Sequence, residues 1–411
     1  MSADVHETVE RAARESYGRL LAFLSARSRD IAGAEDALAD AFRAALEHWP
    51  RGGVPEKPEA WLLVAARRRL VDAARRRQTH QQSLPELTAA AAEAEALSSG
   101  PAGLGDERLK LLFISAHPQI DPAIRTPLML QTILRLDAVR VASAFCVSPA
   151  AMGRRLSRAK ATIRASGIPF EIPGPDELQP RLDAVLEAIY AAYGSGWDDV
   201  AGDDPRRHGL PDEALHLGRL VTTLLPDEPE ARGLLALMLH CEARRPARRD
   251  SRGAYVPLAE QDHGLWSRPL IAEAERELAQ AAGAARMGRF QLEAAIQSAH
   301  ASRATTGRTD WSAVALLYEG LVRIAPTTGA LVGRAAAIGE LHGPWAGLKL
   351  LAELPDSVAK IYQPYWALSG HLLGRAGRTA DALDAFDRAI GLCDDGAMRA
   401  FLQGRSSRLR S

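Results

Sequence analysis

Apolar residues in the first part of the chain recur at the three- and four-residue spacings of amphipathic helices. Val9, Ala12 or Ala13, Tyr17, Leu20, Leu21 and Leu24 form one such stripe and predict a helix over 4–27. Asp30 stands as the cap of a second helix running to about Trp49. Its inward stripe is Ala34, Leu38, Ala41, Phe42, Ala45, Leu46 and Trp49, and its polar stripe is Asp36, Asp40, Arg43 and Glu47. Pro50 and the segment from Arg51 to Pro55 should break that helix, and Pro58 sits in the first turn of a third. The third helix, Trp61 to Arg77, turns Leu62, Leu63, Ala66, Leu70, Ala73 and Ala74 to one side. Two arginine triplets, 67–69 and 75–77, cover much of the rest, so an aromatic opens a densely cationic helix. A helix of this kind can lie along phosphates with its aromatic near base level.

From Gln78 to Gly105 the periodicity dissolves into a polar, Ala-, Ser- and Gly-rich stretch with linker composition. A second module of four short helices follows over about 106–166. Asp106 opens a helix carrying Leu109, Leu112 and Phe113, and Asp121-Pro122 pairs an N-cap with proline at the first helical position. Asp137 caps a short helix with Val141, Ala142 and Phe145. Ser148-Pro149 then starts a helix with Met152, Leu156, Ala159 and Ile163 inward and Arg154, Arg155, Arg158, Lys160 and Arg164 opposite. Two helices joined by the short Cys146-Val147 connection, the second basic and well capped, make a helix-turn-helix pattern. A Pro/Gly hinge from Gly167 to Pro175 closes the module.

Beyond the hinge the pattern is helix after helix. With a period of 34 and repeats starting at 295, 329 and 363, the last places Trp366, Gly370, Gly377, Ala382, Phe386 and Ala389 at the tetratricopeptide landmark positions. Tyr318 stands two periods before Phe386, and Ala336 and Gly343 hold the small-residue positions of the middle repeat. Stacked helical hairpins are expected.

Composition narrows the function classes. Net charge is zero overall, but residues 1–170 hold 24 Lys and Arg against 19 Asp and Glu, leaving 27 against 32 beyond. A mildly basic front half is compatible with a polyanion partner. Cys146, Cys241 and Cys393 fit no metal or redox spacing, which points to a reducing, cytoplasmic setting. No leader peptide is expected, and no apolar run reaches the ~20 residues that span a bilayer. Phosphate-binding loops, nucleophile elbows and HExxH pairs are missing. The Asp198, Asp199, Asp203 and Asp204 loop, His240-Cys241 and Asp262-His263 lack ligand spacing. No enzyme, cofactor or metal is expected.

The order of modules resembles a bacterial sigma factor of the minimal, extracytoplasmic-function type. Ala34-Glu35-Asp36-Ala37-Leu38-Ala39-Asp40-Ala41-Phe42 looks like the segment that docks on the polymerase clamp. Trp61-Leu62 through Arg67 to Asp72 is similar to the helix that meets the −10 element, with Arg68 where relatives usually carry Asn. Arg154-Arg155-Leu156-Ser157-Arg158-Ala159-Lys160 resembles the end of the −35 recognition helix. Further segments, among them His117-Pro118, Gly167-Ile168-Pro169-Phe170 and Leu224 to Glu230, resemble a subgroup with a long tetratricopeptide-like extension; its Asn-Glu pair is replaced in the Tyr190–Trp197 segment.

The resemblance implies an all-α protein. It would comprise sigma domain 2 over 1–78, a linker over 79–105, sigma domain 4 over 106–168, a hinge over 169–180 and a regulatory helical domain over 181–411. Glu35, Asp36, Asp40 and Phe42 would meet core RNA polymerase. Trp61, Arg67, Arg68, Arg75 and Arg76 would hold the melted −10 strand, and Ser148, Arg154, Arg155, Arg158 and Lys160 the double-stranded −35 element. A protein or peptide is the candidate partner of the repeats, and no membrane is. The rival is a helix-turn-helix regulator fused to a peptide-binding repeat scaffold, without a polymerase role. A second, remote rival places an enzyme in the C-terminal half.

Overall fold

Arg29, with φ at 52°, turns the chain between α1 (Ser2–Ser28) and α2 (Ile31–Gly52). Asp30 then caps α2 by accepting the Gly33 N–H at 3.0 Å, an interaction worth about 1 kcal/mol. α3 (Pro58–Arg77) completes the first layer. Leu20, Leu21, Leu24, Leu38, Ala41, Leu62, Leu63 and Ala66 close one core among these three helices, each leucine adding roughly 1.5–3 kcal/mol of burial.

This chain is described here by a computed structural model, over residues 2–77, 102–133, 136, 138–145, 147–197, 210–359 and 361–410. Among the described residues the fold is all-α as expected, with a lone antiparallel bridge between Arg249 and Tyr255. The 198–204 acidic loop, Cys146, Asp137 and most of the expected linker lie outside these residues.

Two expectations for α2 change. The helix runs through Pro50 to Gly52, because so late a proline disturbs only the final turn. Gly53, at φ 83°, ends it by donating its N–H to the Trp49 carbonyl at 3.0 Å. Leu46 is 39% exposed; eight residues after Leu38, it sits about 80° around the helix from that residue, at the edge of the buried stripe.

The second set of helices is α4 (Ala102–Ser115), α5 (Pro122–Thr132), α6 (Ala138–Ala144) and α7 (Pro149–Ala165). α4 begins four residues before Asp106, inside the stretch expected to be linker. Asp121 caps α5 through the Ala123 N–H at 3.0 Å, with Pro122 at the first position as predicted. Leu109, Leu112 and Phe113 of α4 are fully buried, whereas Phe145, expected within the short helix, is 38% exposed just past the end of α6. α1 packs along α4 and reaches α5, and α2 meets α7. Gly18 makes this approach feasible: a Cβ there would lie 2.5 Å from the Ile133 carbonyl oxygen.

α8 (Pro175–Trp197) and the start of α9 (Leu210–Leu224) belong to the same compact unit, which takes in 1–194 and resumes at 209–220. Arg181, buried, donates to the Phe113 carbonyl at 3.4 Å and pairs with Glu177 at 2.6 Å. Arg108 pairs with Glu213. The boundary expected at 181 thus falls within α8, and residues 181–194 pack with the first unit.

The second unit holds α10 (Pro229–Ala243), α11 (Arg268–Ala282), α12 (Arg289–Ala301), α13 (Trp311–Ile324), α14 (Thr328–His342), α15 (Pro344–Ala352), α16 (Gln363–Arg375), α17 (Thr379–Gly391) and α18 (Gly396–Arg410). Neighbours in sequence pack against one another. α14 and α16 begin within a residue of the expected repeat starts at 329 and 363, whereas α12 begins at Arg289 rather than 295. Small residues set the close approaches: a Cβ on Gly370 would meet the Phe386 ring at 3.0 Å, and one on Gly347 the Ala335 carbonyl oxygen at 2.7 Å. Glu230 of α10 caps α12, accepting the N–H groups of Phe290 at 2.9 Å and Gln291 at 3.1 Å.

His240 is buried in this unit, and burial, with Arg244 adding repulsion, pushes its pKa down to about 4. Glu275 stands 3.4 Å from its Nε2, and burial is the larger effect. Above the ordinary value of 6.5 the folded and unfolded chains are both neutral here. Below it the unfolded chain takes a proton that the folded one refuses, so stability is lost as pH falls from 6.5 toward 4. The full loss is up to about 3 kcal/mol. Thermal unfolding followed by circular dichroism should show the melting temperature dropping between pH 7 and 4.5, and His240→Gln should flatten that slope.

Candidate nucleic-acid interface

α7 is built to present cations. Ser148, in extended backbone, accepts the Ala151 N–H at 3.3 Å, and Pro149 fills the first helical position. Met152, Leu156, Ala159 and Ile163 are buried beneath, as their spacing predicted. Arg154, Arg155 and Arg158 are exposed on the outer side. Arg154 and Arg158 are four residues apart and therefore neighbours on one face. α6 stands before α7, and Val147 donates its N–H to the Ala142 carbonyl at 3.0 Å to close the turn between them. Three guanidiniums side by side offer bidentate donors to phosphate or to a guanine edge.

Lys160 lies elsewhere than expected. It follows Leu156 by four residues and precedes Ile163 by three, so it shares the buried stripe rather than the outer face. Its side chain is 9% exposed, and its Nζ lies 2.7 and 2.5 Å from the two carboxylate oxygens of Glu35. Burial raises the Glu35 pKa and the Lys160 ammonium opposes that rise. Arg164, one turn on, has its guanidinium 3.6 Å from the Asp30 carboxylate. The pairing spans 125 positions in sequence, so no local spacing could have shown it. The register of Lys160 on the Leu156 stripe was the available signal.

Along α2, Asp36 is exposed and Asp40 is half-buried and paired with Arg43. Phe42 stacks on Tyr17 with ring centroids 6.1 Å apart and packs on the core. Glu35 is therefore turned toward α7, while Asp36 and Asp40 face outward.

On α3, Trp61 is half-buried and lies edge-on to Trp49 at 5.5 Å, with His48 at 6.4 Å. Arg67 is half-buried, and Arg68 and Arg69 are exposed. Arg75 and Arg76 are in the last turns of α3, and their side chains lie outside the described residues. Glu59, a residue not singled out from sequence, ties the start of α3 to α1 through Arg19 at 2.6 Å and through Ser16. The candidate interface thus has two cationic parts, the α7 face and the Arg68–Arg69 edge of α3.

Among the described residues, no three His, Cys, Asp or Glu side chains are placed to hold a metal ion. No described helix is long and apolar enough to cross a membrane.

Residues 13–80 match the sigma-70 region 2 family, and residues 181–282 match a family of unknown function, DUF6596. An uncharacterized protein of Rhizobium meliloti (strain 1021) is 37% identical over 394 residues, covering 95% of this chain and 92% of that protein. No solved structure matches the chain. The region 2 match spans α2 and α3, the helices that carry the acidic face and the aromatic-plus-arginine edge. The chain thus carries a sigma-70 region 2 followed by a DUF6596 region, an arrangement that fits a sigma factor with a C-terminal extension.

Proposed function

We propose that this sigma factor docks on core RNA polymerase through the Asp36 and Asp40 face of α2 and selects promoters with α3 and α7. The observation that carries the reading is the match of α2 and α3 to sigma-70 region 2, followed along the chain by a capped helix with Arg154, Arg155 and Arg158 exposed together. In this reading α7 enters the major groove of the −35 element, where a bidentate arginine–guanine pair gives about 1–3 kcal/mol of discrimination. At the −10 element, Arg68 and Arg69 hold phosphates, and the outward part of Trp61 stacks on an unpaired base. The activity is promoter-directed initiation without chemistry of its own. The region 2 match supports a polymerase role over a regulator that lacks one.

The C-terminal helical unit acts in cis on initiation. Its stacked hairpins suit a tetratricopeptide-like surface for a protein or peptide.

Run-off transcription with purified core polymerase tests the reading. Wild-type protein should confer promoter-dependent initiation, and Arg154→Ala with Arg155→Ala should reduce it at least tenfold at fixed salt. Unchanged output would remove α7 as the reader. Charge reversal at Asp36 and Asp40 should lower retention of core polymerase in a pull-down; full retention would place docking elsewhere. For the C-terminal unit, a chain ending at Leu224 keeps Arg181 and Glu213 with the first unit. Its promoter output should differ from that of the full-length chain, and identical output would leave the second unit without a role in initiation.

A further inference from the structure

Three guanidiniums line one pocket in the second unit, and no residue lining it carries a carboxylate. The pocket lies among α16, α17 and α18 and has a volume of about 280 Å³. Arg375 reaches it from α16, and Arg405 and Arg408 reach it from α18. His371, one turn before Arg375, lines the same side. The floor is apolar. Gly370 and Gly374 present bare backbone on α16, with Phe386 of α17 and Leu409 of α18 beside them. A Cβ on Gly374 would lie 3.4 Å from Leu409, so a larger side chain there would enter the hollow.

The carboxylates that balance this charge stand outside the lining. Glu340 of α14 pairs with Arg375 and lies 3.5 Å from the His371 ring. Glu260, in the segment after α10, pairs with Arg405 at 2.7 Å. Each guanidinium has five N–H donors, so one carboxylate partner leaves donors for a second acceptor. Arginines already held by a partner also lose less side-chain freedom when an anion arrives. Tyr255, in the same segment as Glu260, meets the Phe401 ring of α18 edge-on at 5.4 Å. A segment resting on α18 leaves a short hollow rather than an open track, which selects a compact ligand over an extended chain.

We infer that this pocket binds a small organic oxyanion, a carboxylate or phosphate carried on an apolar body no larger than one ring. Guanidinium forks match both oxyanions with paired N–H donors. The floor of glycine backbone, Phe386 and Leu409 takes the apolar body. The volume stands at the lower edge of small-molecule pockets, which begin at about 300 Å³. A cluster of arginines on a flat surface would attract any anion, and the floor is what makes this site selective. The pocket lies wholly within the second unit and does not rest on the polymerase reading.

Isothermal titration calorimetry on the full chain tests the site, with phenyl phosphate, benzoate, inorganic phosphate and benzyl alcohol as probes at one ionic strength. Phenyl phosphate or benzoate should bind, and the tighter of the two identifies the oxyanion. That probe should bind about tenfold more tightly than inorganic phosphate, through burial of its ring. It should exceed benzyl alcohol by about tenfold, through hydrogen bonds to charged groups. Arg408→Gln should weaken it about tenfold. Gly374→Leu should fill the pocket and abolish binding, while its better helix propensity keeps α16 folded. Unchanged circular dichroism separates lost binding from unfolding.

Inorganic phosphate binding as tightly as the ring-bearing probes would reduce the site to a cluster of charge and overturn the inference. Silence from both ring-bearing anions, or binding untouched by both substitutions, would do the same. Displacement of the bound probe by the acidic peptide Asp-Glu-Leu-Asp at lower concentration than by benzoate would make the pocket part of a peptide groove, and the small-anion assignment would fall.

Discussion

A lysine ammonium taken out of water must be met by a carboxylate, and here that requirement ties α7 to α2. Lys160 sits on the buried stripe of its helix, where a charge without a partner would cost several kcal/mol. Glu35 supplies both carboxylate oxygens at hydrogen-bonding distance. The rest of the first unit is arranged consistently with that pair. The Asp30 cap that starts α2 lies beside Arg164, and Gly18 leaves room for the packing of α1 on the second set of helices. A pair of this kind contributes little net stability but strongly disfavours other registers of the two helices, because a shift would leave either charge buried alone.

The same physics divides the cations of α7 into two groups. Arg154, Arg155 and Arg158 are exposed and keep their hydration, so a phosphate or base edge can recruit them at low cost. Lys160 has already exchanged water for protein. One basic helix therefore carries an exposed cationic face, proposed to meet DNA, and a face for its own chain. The caps at Asp30, Asp121 and Ser148 are each made with an N–H two or three residues further on, and the Asp30 carboxylate also meets Arg164. In the second unit, Glu230 does the equivalent across two helices, and the small residues at 347 and 370 let backbones and rings approach.

Much of this was legible in order along the chain. The α2 stripe is read from its spacing except at Leu46, where an angle of about 80° from Leu38 outweighs an apolar side chain. Pro50 was expected to break α2 and does not, since one lost N–H near a helix end costs less than one in the interior. The third repeat was visible because Gly370 and Phe386 must occupy facing positions in a helical hairpin. The first was out of register because the start of α12 is decided by Glu230, 60 residues away.

Local chemistry alone determined the all-α class, the starts of α5 and α7, the arginine face of α7 and the aromatic-plus-arginine helix α3. These depend on periodicity and on side chains a few residues apart. Only the tertiary structure decided the partner of Lys160, the edge-on seating of Trp61 against Trp49, and the membership of residues 181–194 in the first unit. Each of these is a pairing between residues distant in sequence. A buried charge shows in the sequence that it needs a counter-charge, but which of 51 acidic residues supplies it is settled only when the helices pack.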